Sequence, residues 1–307
     1  MEFLHLLQGI RTPVLDEIFA LITLFGEETI FIAVGLLFFW CIDKLAGYYL
    51  LLIGVGGTVV NQFLKMTFRI PRPWVLDETF TIVEEAREAA TGYSFPSGHT
   101  QTSVGIFGGI ARWTSHPLVR TACLALCVLV PFSRMYLGVH TPMDVGVSLV
   151  LAVVLVLGFY PLVFRSQNTQ KTVRCLLWIL TGLAVLNLLY MTLFPFPADV
   201  DVTHLTHAAE NAAKMLGCAA GLCAVFDIER KHIRFDPKAA VWWAQALKLA
   251  LGLVLLLGIK SGLKIPLEAV LGESLLADGI RYFCIAVFAG AVWPMTFGWF
   301  GKLGKKS

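Results

Sequence analysis

Three short stretches of this chain combine cations, histidines and a carboxylate in a way that suits an anion. The first is KMTFRIPRP, with Lys65 and, seven residues on, Arg72-Pro73. The second is YSFPSGHT, residues 93–100, which holds Pro96-Ser97-Gly98-His99. The third is SRMYLGVHTPMD, with Ser133-Arg134, then His140, then Asp144. Lys65, Arg72 and Arg134 can set three positive charges around a dianionic phosphate, and the arginine forks suit bidentate contact. A helix starting after Ser97 offers unpaired N–H groups and a positive dipole end to the same anion. Two histidines remain. Phosphoryl transfer without a metal needs one group to attack phosphorus and another to protonate the departing oxygen. Asp144, close to His140, can hold that imidazole in its nucleophilic tautomer.

Each stretch also has a plain structural reading. Lys65, Arg69 and Arg72 can be interfacial charges at helix ends. Ser97 can cap an ordinary helix behind a Pro-Gly break. Thr141-Pro142-Met143-Asp144 makes a good capping arrangement on its own. What favours a site is that all three stretches fall at helix ends on one side of the same fold.

That fold is set by composition. Hydrophobic residues are 57% of the 307 and charged residues 15%, against about 25% charged in a soluble domain. Mean hydropathy is +0.74. Apolar runs at 143–164, 176–194, 239–259 and 282–300 are long enough, or nearly so, to cross about 30 Å of hydrocarbon as helices. Shorter runs lie at 29–42, 46–64, 100–111, 119–133 and 207–226. The expectation is an all-α polytopic membrane helix bundle of about nine transmembrane helices. Residues 1–26 lack the basic start and small-residue cleavage site of a signal peptide, and LDEIFALITLF is amphipathic enough for 1–28 to lie along the membrane surface as an interfacial helix. The seven cysteines suggest neither a disulfide framework nor a zinc site. A net charge of +3 is too small to imply a nucleic acid partner.

Of the 24 Lys and Arg, thirteen fall in one alternate set of loops, among them Lys44, Arg112, Arg120, Arg230, Lys302, Lys305 and Lys306. Nine fall in the other set, three of which are the phosphate cations. By the positive-inside tendency the larger set marks the cytoplasm, so the three stretches are expected on the non-cytoplasmic face of the plasma (cell inner) membrane.

Lys-x6-Arg-Pro, Pro-Ser-Gly-His and Ser-Arg-x5-His-x3-Asp resemble the three signature motifs of the type 2 phosphatidic acid phosphatase (PAP2) superfamily, with every specified residue present and in order. The motifs run from 65 to 144, and the resemblance implies a six-helix catalytic core over 29–196, with 197–307 as a three-helix membrane extension. It makes His140 the nucleophile that forms a phosphohistidine, Asp144 its partner and His99 the general acid. Lys65, Arg72, Ser97, Gly98 and Arg134 become the phosphate-binding set, with no metal and no cofactor. The implied activity is hydrolysis of the terminal phosphate of a lipid phosphate or pyrophosphate, with membrane lipids as the surrounding partners. The superfamily also holds soluble vanadium haloperoxidases, which the membrane helices disfavour. A lipid-linked phosphotransferase using the same phosphoenzyme is an alternative. So is a non-catalytic phosphate- or lipid-binding protein, which would need the cations but not two histidines and an aspartate.

The lipid and the oligomeric state are not legible. Nor is the role of residues 197–307, where Glu210 and Lys214 stand one turn apart in an apolar segment. An internally neutralised pair is the simpler reading; a functional intramembrane site is the other. Gly217 and Gly221 form a small-residue face suited to close packing within the chain. Lys248, alone in an apolar run, is expected to snorkel. The outer loop DETFTIVEEAREAA reads as a solvated acidic face or a screen for headgroups.

Overall fold

The computed structural model describes residues 1–88 and 90–304; Ala89 of the outer loop, and Lys305 and Lys306 of the basic set, lie outside the described residues. Among the described residues every regular element is helical. In chain order they are α1 (Glu2–Gly9), α2 (Pro13–Thr23), α3 (Glu28–Leu37), α4 (Lys44–Phe68), α5 (Pro73–Leu76), α6 (Gly98–Trp113), α7 (Pro117–Tyr136), α8 (Pro142–Phe164) and α9 (Thr169–Leu193). Then come α10 (Val202–Ile228), α11 (Trp242–Gly262), α12 (Lys264–Leu271), α13 (Leu275–Val287) and α14 (Phe297–Phe300). Among the described residues seven helical runs are long and apolar enough to cross a membrane, or eight if Pro13–Gly26 and Glu28–Ile42, bent by 52°, form one span. The helix that begins at the Pro-Ser-Gly-His turn, α6, has 16 residues and falls short of that length.

One expected length changes. The sequence pattern stops α7 at residue 133, yet the helix runs for 20 residues to Tyr136. Arg134 interrupts the hydropathy pattern without interrupting the helix, because its side chain is wholly buried. At about 1.5 Å per residue α7 is of full bilayer length, so of α6 and α7 only α6 is short.

The chain forms two compact units. The first comprises Met1–Ile32, Gly56–Pro161 and Phe196–Ala208. Its elements start where the local chemistry dictates. Thr12 caps α2, accepting from Leu15 N at 3.3 Å, with Pro13 at the first turn. Ser97 caps α6, accepting from Thr100 N at 3.4 Å. At α8 the Thr141 amide donates to Asp144 Oδ2 at 2.7 Å, and the Asp144 amide donates back to Thr141 Oγ1 at 3.3 Å. That is a reciprocal capping box. The outer loop is amphipathic rather than simply solvated. Phe80, Ile82, Val83 and Ala86 are buried while Glu78, Glu84, Glu85 and Glu88 point out. Phe80 and Ile82 pack with Leu4 and Leu7 of α1; Val83 and Ala86 pack with Tyr136, Leu137 and Val139. Gly138 has φ 83°, and a Cβ there would lie 2.7 Å from Arg11 Nη2 and 2.9 Å from the Phe80 ring. No other residue fits that turn without strain.

The second unit comprises Ala33–Val55, Leu162–Pro195 and Ala209–Ser307. Here α10 and α13 cross closely. A Cβ on Gly217 would lie 2.0 Å from the Gly279 carbonyl, and one on Gly221 2.6 Å from Ala286 Cβ, so the small-residue face serves packing within the chain. Lys214 lies 3.3 Å from Glu210 and 3.8 Å from Asp278, and Asp278 also accepts from Arg281. The pair seen in sequence is thus half of a neutral four-charge cluster joining two helices. Lys248 does not snorkel. It is buried, donates to the Trp40 carbonyl at 2.8 Å and stands 4.4 Å from the Phe297 ring centroid. The helix ends in a turn over Phe38–Ile42, with Asp43 extended behind it, so the Trp40 carbonyl lies in the last turn, where carbonyls have no intrahelical partner, and the ammonium finds an acceptor where it stands.

Candidate active site

The eight residues expected from sequence sit in the first unit, at the ends of α4, α6, α7 and α8 and in the turns beside them. Arg69 ends α4 in the left-handed region at φ 50°. The chain then doubles back through Pro71 and Pro73, which returns Arg72 toward Lys65. Ser94 N donates to the Ile70 carbonyl at 2.8 Å, and Ser97 N to the Asp144 carbonyl at 3.2 Å. These two backbone bonds hold the 93–99 turn between the end of α4 and the start of α8.

Lys65 Nζ donates to the Tyr93 carbonyl at 2.8 Å. Arg72 spends most of its fork on the backbone: Nε to Gly92 O at 3.1 Å, Nη2 to Thr91 O at 2.7 Å and Nη1 to Val139 O at 2.9 Å. Its Nη1 also lies 3.0 Å from His140 Nε2. The bidentate phosphate fork expected of Arg72 is therefore largely committed to shaping the turns. Arg134 is the opposite case. Nη1 donates to Thr23 Oγ1 at 2.8 Å, while Nε and Nη2, both buried, have no hydrogen-bond partner among the described residues. His99 Nε2 is likewise buried without a partner among them. A buried unpaired donor costs about 1–3 kcal/mol, so the two adjacent donors left on Arg134 form an edge suited to an acceptor.

His140 is 2% exposed and Asp144 fully buried. His140 Nδ1 stands 3.5 Å from Asp144 Oδ2, longer than a good hydrogen bond. Between them lies a residue that the motif reading passed over. Ser94 Oγ donates to Asp144 Oδ2 at 2.6 Å and lies 3.4 Å from His140 Nδ1. Burial first, then the charges of Arg72, Arg134, Lys65 and His99, holds the His140 imidazole well below its ordinary pKa. It is neutral near pH 7, with Nε2 turned toward Arg72. The His140 amide donates to the Arg134 carbonyl at 3.3 Å, so the two residues that bear arginine cations, Arg72 and Arg134, both meet His140. Among the described residues no three of His, Cys, Asp and Glu converge as metal ligands; the charges here are cations, which suit an anion instead.

Fold and site together define a polytopic helical membrane protein built around a buried polar centre at its helix ends. Two family models match the chain. The PAP2 superfamily model covers residues 45–168, and the model for the PAP2 superfamily phosphatase transmembrane extension covers 213–306. The chain belongs to the PAP2 superfamily. Among curated proteins it is 26% identical to mouse sphingosine-1-phosphate phosphatase 1, over 83% of this chain and 62% of the relative. It is 32% identical to undecaprenyl-diphosphatase BcrC of Bacillus subtilis, over 38% of this chain and 56% of the relative. Against lipid phosphate phosphatase delta of Arabidopsis thaliana it is 26% identical over 76% of this chain and 56% of the relative. The chain thus spans less than two thirds of the length of these relatives. No solved structure matches it significantly.

Proposed function

We propose that the chain is an integral membrane phosphatase that hydrolyses the terminal phosphate of a lipid phosphate or pyrophosphate through a phosphohistidine on His140. The observation that carries this reading is the setting of His140: neutral, with Nε2 at 3.0 Å from the Arg72 guanidinium and Nδ1 backed by Asp144 and Ser94. A site that only bound phosphate would need the cations but not an imidazole oriented in this way.

The chemistry follows from the geometry. The phosphate is held by Lys65, by the free Nε–Nη2 edge of Arg134 and by the amides at the start of α6, at Gly98 and His99, with Ser97 fixing that start. Arg72 holds the 91–92 turn and lends its charge. His140 Nε2 attacks phosphorus; the bond from phosphorus to the lipid oxygen breaks as that oxygen takes a proton from His99. Asp144 stabilises the cationic ring through Nδ1–H, a contact that shortens as charge develops. Water then attacks the phosphohistidine, giving its proton to His99, and inorganic phosphate leaves with His140 restored. The protein's cations neutralise the charge of phosphate, so the proposed reaction runs without a metal. The names of the relatives support sphingoid phosphates and polyprenyl diphosphates as the first substrates to try.

The residue 29–196 core and 197–307 extension remain the proposed domain division, supported by the positions of the two family matches. The plasma membrane and its non-cytoplasmic face remain the proposed location, on the charge count. The direct test is phosphate release across phosphatidic acid, phosphatidylglycerophosphate, sphingoid phosphates and polyprenyl diphosphates, in detergent and vesicles with excess EDTA. Acid-labile phosphoenzyme should form on the wild type and not on His140→Ala. A strict magnesium requirement, or phosphoenzyme surviving in His140→Ala, would overturn the mechanism.

A further inference from the structure

The family match over the catalytic helices begins at residue 45, yet the donor arrangement of Arg134 depends on a residue well before it. Thr23 is buried, and its Oγ1 accepts from Arg134 Nη1 at 2.8 Å. That bond occupies the one terminal nitrogen that is not part of the Nε–Nη2 edge. The edge left over presents two parallel N–H groups, the arrangement that fits two oxygens of a phosphate. With Nη1 released, the guanidinium is free to rotate about its last bonds and the edge loses its fixed direction.

Thr23 is itself held in place from the same face of α2. Asp16, Phe19 and Thr23 follow one another at i, i+3 and i+7. Asp16 Oδ1 accepts from the Tyr136 hydroxyl at 2.8 Å. The Phe19 ring lies 4.3 Å from that of Tyr136 and 5.4 Å from that of Phe132. All three α2 residues thus engage α7, the helix that carries Arg134. Just before α2, Arg11 Nε donates to the Tyr136 carbonyl at 3.0 Å.

A second contact of the same segment reaches the other half of the chemistry. A Cβ at Gly26 would lie 2.9 Å from His99 Cβ, 3.0 Å from the His99 carbonyl and 3.0 Å from Val130 Cγ1. The backbone of Leu24–Gly26 therefore lies flush against the histidine at the start of α6 and against α7.

We propose that residues 23–26 form a wall of the phosphate pocket, in which Thr23 is a positioning residue that aims the Arg134 edge and Gly26 is the surface on which His99 rests. The inference rests on the phosphatase reading above and names residues outside the family match on which that reading depends. It takes the N-terminal segment out of the role of a surface anchor and makes it part of the site.

Orthovanadate serves as the phosphate-shaped probe. Thr23→Val keeps the shape and removes the acceptor; Thr23→Ser keeps the acceptor. Thr23→Val should weaken vanadate inhibition and lower kcat/KM about tenfold or more, while Thr23→Ser stays near the wild type. Wild-type vanadate inhibition in a folded Thr23→Val protein would overturn the proposal. A measurement on the unaltered protein guards against misfolded variants. Vanadate should slow hydrogen exchange at residues 24–27 together with residues 98–100. Slowing at 98–100 alone would leave the phosphatase reading standing and overturn this one. Slowing at neither place would overturn both.

Discussion

Ser94 Oγ donates to Asp144 Oδ2 at 2.6 Å, the same oxygen that stands 3.5 Å from His140 Nδ1. That oxygen also accepts from the Thr141 amide at 2.7 Å. Asp144 is thus fixed by two donors before the imidazole engages it, and one of them comes from the turn that carries His99. Replacing Ser94 by Ala leaves the carboxylate free to swing and removes one donor from a buried charge, a loss of about 1.5–3 kcal/mol for a bond to a charged group. The expected result is a fall in kcat of tenfold or more with little change in KM, because His140 is misaligned while the phosphate cations are untouched. A rise in KM at constant kcat would show that Ser94 serves binding instead.

The two histidines should separate by leaving group. His140→Ala should lose phosphoenzyme formation with every substrate, since the attacking nitrogen is gone. His99→Ala should lose about 10²–10⁴-fold with a lipid alkoxide as leaving group, and far less with an aryl phosphate whose phenolate departs without a proton. Equal losses on both substrates for both variants would refute the assignment of nucleophile and acid.

The acid side of the pH profile follows from the sign of the His140 shift. Burial and the neighbouring cations disfavour the imidazolium, so the pKa falls and the neutral, attacking form persists to a pH below the ordinary histidine value of about 6.5. Corrected for the second ionisation of the substrate phosphate and for the proton that the acid His99 must carry, kcat/KM should hold level down through pH 6.5 and decline only below it. A decline that begins at or above 6.5 counts against a depressed nucleophile.

How much of this was open to sequence depends on what each residue does. Lys65, His99, Arg134, His140 and Asp144 are legible because the proposed reaction demands those side-chain types, and the motif spacing puts them at helix ends or in the turns beside them. Arg72 is legible as a cation but not in its use, because the carbonyls of Thr91, Gly92 and Val139 that absorb its donors carry no side-chain signal. Ser94 lies in a stretch that draws attention, yet its partner is 50 residues away and serine is common in turns. Thr23 lies 111 residues from Arg134, in a helix whose amphipathic pattern reads as a membrane surface segment. Lys248 departs from the snorkelling expectation because its acceptor, the Trp40 carbonyl in the last turn of a helix 208 residues away, leaves no trace in hydropathy. Long-range partners and backbone irregularities are what the sequence withheld.

The last prediction concerns the face of the membrane on which the pocket opens. The sequence places Arg112 and Arg120 in the larger basic set, and the structure puts them at the far end of α6 and α7 from His99 and Arg134. Ser115, exposed in the turn between those helices, should then be cytoplasmic. Glu85, exposed on the loop that packs over the site end, should be outside. The helix between them, α6, has 16 residues, about 24 Å at 1.5 Å per residue, which is less than the hydrocarbon thickness of about 30 Å. A recessed site end of α6 is the arrangement expected with the proposed location, in which a lipid phosphate would reach it from its own leaflet with the tail still in the bilayer. That spares the cost of extracting a chain, about 0.8 kcal/mol per CH₂. In a variant lacking the seven native cysteines, Glu85→Cys should react with an impermeant thiol reagent on intact cells, and Ser115→Cys only after permeabilisation. The reverse pattern would open the pocket to the cytoplasm and remove outer-leaflet lipids from the substrates to be considered.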